Sequence, residues 1–123
     1  VKLAMNLQIT MLALALSEGI TLLKKSNVDP KIFLEILNST YFKTGMSEKK
    51  AYKMIDGKYD ATFTLANLKK DISTMTSTAK ALGVELPMIS KAEQVYENAV
   101  NEGLGEIDYT GIIEYIKKIN EAK

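Results

Sequence analysis

Val1 to Lys25 reads VKLAMNLQITMLALALSEGITLLKK: a lysine, an apolar run, then a closing lysine pair. A secretory leader, a membrane span and a buried helix can all begin this way. A leader needs an apolar core of about 7–15 residues before a small-residue cleavage site. Ala13 to Ser17 imitates such a site, but Asn6, Gln8 and Thr10 interrupt the core. A span needs about 20 apolar residues, and Asn6, Gln8, Ser17 and Glu18 break this one. The stretch is therefore expected to be a long helix, from about Leu3 to Lys25, apolar nearly all the way round and set in the middle of a bundle. Lys2 and Asn6 stand at i and i+4, so they share one face, a turn apart. Val1 cannot cap this start, and the helix is expected to be cut open there.

The rest of the chain divides into helices by its punctuation. Asp29 offers an N-cap and Pro30 a first helical residue, with Ile32, Phe33, Ile36 and Leu37 at core spacing up to a stop near Asn38 and Ser39. Ser47 can cap a short helix through Ile55, with Ala51, Met54 and Ile55 inward, before a turn at Asp56 to Asp60. Thr64 caps a stronger helix in which Leu65, Leu68, Ile72, Met75, Ala79 and Leu82 recur every three or four positions, and Gly83 ends it. Pro87 opens the next, with Ile89, Ala92, Val95, Tyr96, Ala99 and Val100 in phase until Gly103 and Gly105 break it. Asp108 caps a last helix with Ile112, Ile113, Ile116 and Ile119 inward, and Lys117 to Lys123 is expected to fray. No stretch alternates with period two. The expectation is one all-α domain over residues 1–123, about six helices around the long first one.

Composition narrows the chemistry. The chain has 123 residues, 46% of them hydrophobic, which suits one domain with a real core and not two. Sixteen basic residues offset fifteen acidic ones for a net charge of +1, without a basic block, so nucleic acid is not an expected partner; nor is a membrane. There is no cysteine, which excludes disulfides and thiolate zinc sites and suits a reducing compartment; a cytoplasmic location is expected. There is no histidine either, which removes Ser-His-Asp and Cys-His catalysis and the HExxH zinc site. No metal is expected. Catalysis, if any, falls to lysine, tyrosine or carboxylates. Glu18, mid-helix among apolar neighbours, is expected to be paired with a lysine or held by hydroxyls. The six tyrosines are expected in core and interface positions.

Four segments in order, KLAMN at Lys2 to Asn6, ALALSEGITLLKKSNVDP at Ala13 to Pro30, FTLANLKKDISTMTSTAKALGVELPM at Phe63 to Met88 and VYENAVNEGLGEIDYTGIIEYI at Val95 to Ile116, together resemble the C-terminal domain of the NAD(P)-dependent β-hydroxyacid dehydrogenases, the 3-hydroxyisobutyrate dehydrogenase-like family. The resemblance implies a fold like the C-terminal domain of 6-phosphogluconate dehydrogenase. It also implies a longer enzyme, with an N-terminal Rossmann domain that would precede Val1; no GxGxxG occurs in this sequence, and Gly103 and Gly105 fall between helices.

By the same resemblance Lys2 is the catalytic lysine, giving a proton to the alkoxide oxygen as hydride reaches the carbonyl and taking it back in reverse. Burial in a closed cleft is what lets an ammonium do this near neutral pH; in the isolated chain Lys2 is expected to be solvated. Asn6 is expected to hold the substrate hydroxyl or carboxylate. Lys70 is implied to reach the cleft near the nicotinamide, touching substrate and cofactor. Asp71 is implied to orient or pair its neighbours on the cofactor side, and Phe63 to line the cleft there. NAD or NADP is expected in the intact enzyme and none bound to this chain alone. Partners would be the Rossmann domain, a small hydroxy acid or aldehyde, and further copies in a dimer or tetramer. The alternative is a stand-alone helical bundle, a dimerisation module without catalysis, in which Lys2 and Asn6 are incidental.

Overall fold

Residues 1–121 are described by a computed structural model. They form α1 (Lys2–Lys25), α2 (Pro30–Asn38), α3 (Gly45–Lys49), α4 (Ala51–Asp56), α5 (Leu65–Leu82), α6 (Pro87–Asn101), a 3-10 turn (Tyr109–Gly111) and α7 (Ile112–Glu121). The fold is all-α, and no strand occurs among the described residues beyond one isolated antiparallel bridge between Thr64 and Asp108. The expected short helix from Ser47 is two helices, with Lys50 at the break (φ −110°, ψ −28°). Its cap is Thr44, whose hydroxyl accepts from the Ser47 N–H while Ser47 Oγ accepts from the Thr44 N–H, a reciprocal capping box. Lys117 to Glu121, expected to fray, close α7 as regular helix; the last two residues of that tail lie outside the described residues.

By length and composition α1 could cross a bilayer. In the fold it is instead the helix that touches every other element. Two apolar clusters are strung along it. Ala13 joins Leu68, Ile72, Ile89, Tyr96 and Ile112 in the first, on the α5 and α6 side. Leu16 and Ile20 join Leu34, Ala51, Met54 and Ile113 in the second, against α2, α4 and α7. The expectation that α1 is covered all round is corrected: Met5 is 60% and Leu22 67% exposed. Its buried stripe includes Thr10, Ser17 and Thr21. The first two return their hydroxyl protons to the Asn6 and Ala13 carbonyls one turn back, the local solution available to a small hydroxyl in a helix.

Four isoleucine and leucine positions predicted inward face out: Ile32, Ile36, Leu82 and Ile119. In α2 the inward stripe is Pro30 and Leu34, with Phe33 and Leu37 beside it; Ile32 and Ile36, also four apart, form a second apolar stripe on the opposite side. Leu82 sits in the last turn before Gly83, which ends α5 in the left-handed region (φ 71°), and its side chain is 73% exposed. Truncation should separate the two kinds of position. Ile72→Ala, at a wholly buried site, is expected to cost about 2–5 kcal/mol in urea melts, whereas Leu82→Ser should stay within about 0.5 kcal/mol.

The start of α5 is where the fold fixes the positions of its polar groups. The Leu65 and Ala66 N–H groups, which have no partner inside the helix, donate to the Ile107 and Gly105 carbonyls at 2.8 and 2.9 Å, and Thr64 Oγ1 accepts from the Asn67 N–H. Gly105 leaves room for this approach: a Cβ there would stand 3.3 Å from that of Ala66, closer than ordinary van der Waals contact. The loop after α6 is thereby sewn to the α5 N-terminus.

Candidate functional site

The six residues between Lys2 and Leu7 run opposite in sense to α5, so that Asn6 faces Asp71 while Leu3 and Leu7 face Met75, Ala79 and Leu82. Asn6 Nδ2 donates to Asp71 Oδ2 at 2.7 Å, a bond between partly buried side chains 65 residues apart. Lys2 lies one turn before Asn6, exposed, in the first turn that the Met5 N–H closes onto the Val1 carbonyl. Lys70 is the residue before Asp71 and is also exposed. Neither lysine forms an ion pair among the described residues. Phe63 stands just ahead of α5, roughly 10 Å up the axis from Lys70, partly buried against the first core cluster with its ring 6.2 Å from that of Tyr109. The structure thus brings Asn6 and Asp71 into direct contact, puts Lys2 one turn before Asn6 and Lys70 directly before Asp71, both on the surface, and keeps Phe63 about two turns away. Beyond the Asn6–Asp71 bond an apolar recess of about 300 Å³ opens between Leu3, Ala4 and Leu7 of α1 and the end of α5. The larger depression, about 770 Å³ at the α5–α6 turn, is lined by residues such as Lys80, Glu85 and Glu93 and holds none of these groups.

Glu18 departs from its expected role. It is exposed, with no ion pair among the described residues, because its place on α1 falls outside the buried stripe. Tyr96 and Tyr109 are buried as expected, but Tyr41 is 94% exposed, edge-on to Phe42 at 5.8 Å. Tyr59 donates to Glu114 Oε1 at 2.5 Å, and burial together with that carboxylate pushes its hydroxyl well above the usual phenol range. Lys117 also reaches Glu114, at 3.4 Å, so this cluster ties α7 to the loop after α4.

The spacing predicts only a helix cap for Asp108, and the structure makes it a hub. It is 2% exposed. Its Oδ1 accepts from the Thr62 N–H at 3.1 Å, Thr62 Oγ1 at 3.1 Å and the Phe63 N–H at 3.3 Å. Its Oδ2 accepts from Thr110 Oγ1 at 2.6 Å, the Thr110 N–H at 3.3 Å and Lys50 Nζ at 3.2 Å. Lys50, at the α3–α4 break, also lies 4.4 Å from the Tyr109 ring centroid. Burial works against the charge on Asp108, but the Thr110, Thr62 and Phe63 hydrogen bonds and the Lys50 ammonium outweigh it and hold the carboxyl below its ordinary range. A depressed folded value means stability that is present above the unfolded value, near 3.9, and lost as pH falls through the folded one. The melting temperature of the wild type should therefore fall more steeply than that of Asp108→Asn as pH is lowered from about 5 to about 3; parallel acid limbs would show that Asp108 carries no such linkage.

Residues 1–116 match the family model described as "NAD-binding of NADP-dependent 3-hydroxyisobutyrate dehydrogenase". The chain belongs to this family. Among relatives, the chloroplastic glyoxylate/succinic semialdehyde reductase 2 of Arabidopsis thaliana is 27% identical over 116 residues, covering 94% of the chain and 32% of that protein. The mitochondrial 3-hydroxyisobutyrate dehydrogenase of Drosophila melanogaster is 27% identical over 126 residues, covering 95% of the chain and 38% of that protein. The chain therefore spans 32% and 38% of the length of these two relatives. The crystal structure of a 3-hydroxyisobutyrate dehydrogenase from Salmonella typhimurium superposes with a TM-score of 0.84 at 24% identity, over 92% of the chain and 40% of that structure, which shows that the two share a fold.

The 3-hydroxyisobutyrate dehydrogenase family is NAD(P)-dependent. Phe63 is partly buried against the core, and Lys70 is exposed with no ion pair among the described residues. Among the described residues no strand–turn–helix presents glycine N–H groups to a pyrophosphate. Gly103 (φ 90°) turns the chain out of α6, and Gly105 is engaged in packing on Ala66.

Proposed function

We propose that this chain is the C-terminal, substrate-side part of an NAD(P)-dependent 3-hydroxyisobutyrate/β-hydroxyacid dehydrogenase, with Lys2 as its acid–base residue. The observation that carries the reading is the Asn6–Asp71 bond at 2.7 Å with Lys2 one helical turn away, in a chain of this family. A cofactor, when bound, supplies or accepts the hydride. Lys2 gives a proton to the substrate oxygen as a carbonyl is reduced and removes it from the hydroxyl in the oxidation. Asn6 holds the same oxygen in place, and Lys70 and Phe63 line the cofactor side. The dinucleotide phosphates belong to a further domain of the enzyme, as the fraction of the relatives' length spanned here suggests. Association of copies is part of the same proposal, since Met5, Ile32, Ile36 and Met88 leave apolar surface open. The test is turnover of the full-length protein with 3-hydroxyisobutyrate and related small 3-hydroxy acids in the presence of NAD or NADP. Saturable cofactor reduction is expected, and no hydride transfer with any member of that class rejects the reading.

A further inference from the structure

We propose that the exposed row Glu18, Leu22 and Lys25 on α1 is the contact face for a second copy of this chain, the two α1 helices crossing antiparallel about a two-fold axis beside Leu22. The three residues stand at i, i+4 and i+7 and share one face of the helix. With Thr21 they form one wall of a groove of about 390 Å³, whose other wall is Ile116, Ile119 and Asn120 of α7. Leu22 and Ile119 are exposed, so the middle of the groove is apolar. Glu18 and Lys25 are exposed on either side of Leu22, and neither forms an ion pair among the described residues. An open leucine between two free charges of opposite sign is a pattern that complements itself. The charges lie about 10 Å apart along the axis, with Leu22 close to midway. Turning a second copy by half a revolution about an axis between Thr21 and Leu22 sets Glu18 of each copy opposite Lys25 of the other and brings the two Leu22 side chains to the centre. A parallel alignment sets Glu18 against Glu18 and Lys25 against Lys25, which is repulsive. A face that meets its own copy in this way closes at two chains. Burial of Leu22 and Ile119 supplies attraction; the charges, worth little as isolated surface pairs, set the direction.

This names the face for the association of copies that the proposed function includes. It is read by mass and not by turnover, so its failure leaves the hydride-transfer reading standing, and the failure of that reading leaves it intact. The test is sedimentation equilibrium of the full-length protein, wild type beside Glu18→Lys and Lys25→Glu. Each reversal alone sets like charges opposite one another and should weaken the dimerisation step about 10-fold or more. Mixed in equal amounts, the two single variants should pair with each other within about threefold of the wild-type affinity, because every facing pair is then again of unlike charge. The double variant Glu18→Lys/Lys25→Glu should associate with itself to the same degree. Association unchanged in both single variants overturns the inference, as does a wild type that stays monomeric at micromolar concentration. Single variants that weaken without recovering in the mixture overturn it too, since only the antiparallel crossing predicts the recovery. A row covered instead by another part of the same chain would show itself as a lower melting temperature with association unchanged, which again overturns it.

Discussion

Asp108→Ala is expected to lower the melting temperature of this chain by about 10–20 °C, which corresponds to roughly 3–4 kcal/mol. The carboxylate is almost wholly buried and collects donors from three parts of the chain: Thr62 and Phe63 ahead of α5, Thr110 in the 3-10 turn and Lys50 between α3 and α4. Hydrogen bonds to a charged group contribute about 1.5–3 kcal/mol each when counted singly, and donors left without a partner cost more than the bond was worth. Alanine strands the Thr62 and Phe63 N–H groups and the Lys50 ammonium together. The effects will not add, because the donors share one acceptor and can relax together. Asparagine keeps the shape and one acceptor oxygen, so Asp108→Asn should lie between wild type and alanine. A melting temperature within about 3 °C of wild type for Asp108→Ala would mean that water replaces the carboxylate at little cost. Such a result would remove the hub from the account of how Phe63 and the start of α5 are held.

The ends of the elements were legible because local chemistry sets them. Asp29 with Pro30, Thr64, Gly83 and Pro87 mark boundaries that the structure keeps, each through a cap or a φ restriction acting within a few residues. Facing was less legible. Ile32 and Ile36 satisfy helical periodicity as well as Leu34 does, and only the position of α1 decides which stripe is covered. The long first helix reads as apolar on all sides for the same reason: composition says that it can be buried, not how much neighbouring chain is there to bury it. The polar groups divide likewise. Lys2 and Asn6 share a turn of one helix and can be paired from spacing. The Asn6–Asp71 bond joins positions 65 apart, and the Asp108 hub reaches Lys50 across 58 residues and Thr62 across 46. No local pattern encodes such contacts.

The second large effect concerns chemistry. Lys2→Ala in the full-length enzyme should lower kcat by about 10²–10⁴-fold, the range that a positioned acid–base group contributes. This equals about 3–5 kcal/mol at the transition state. Lys2 is exposed in this chain and forms no ion pair among the described residues, so its removal takes nothing from the core, and the melting temperature should hardly move. Cofactor affinity should be nearly unchanged too, since an alanine at the start of α1 alters neither Phe63 nor Lys70. The loss should thus appear in turnover alone, which separates a proton-transfer role from a structural one. The measurement to make is kcat and cofactor Kd for wild type and Lys2→Ala, side by side, with a small 3-hydroxy acid that the full-length protein oxidises. Turnover lost with Kd intact is the predicted result; a variant that keeps most of its turnover would contradict the assignment of Lys2 and, with it, the reading of this helix end as the catalytic one.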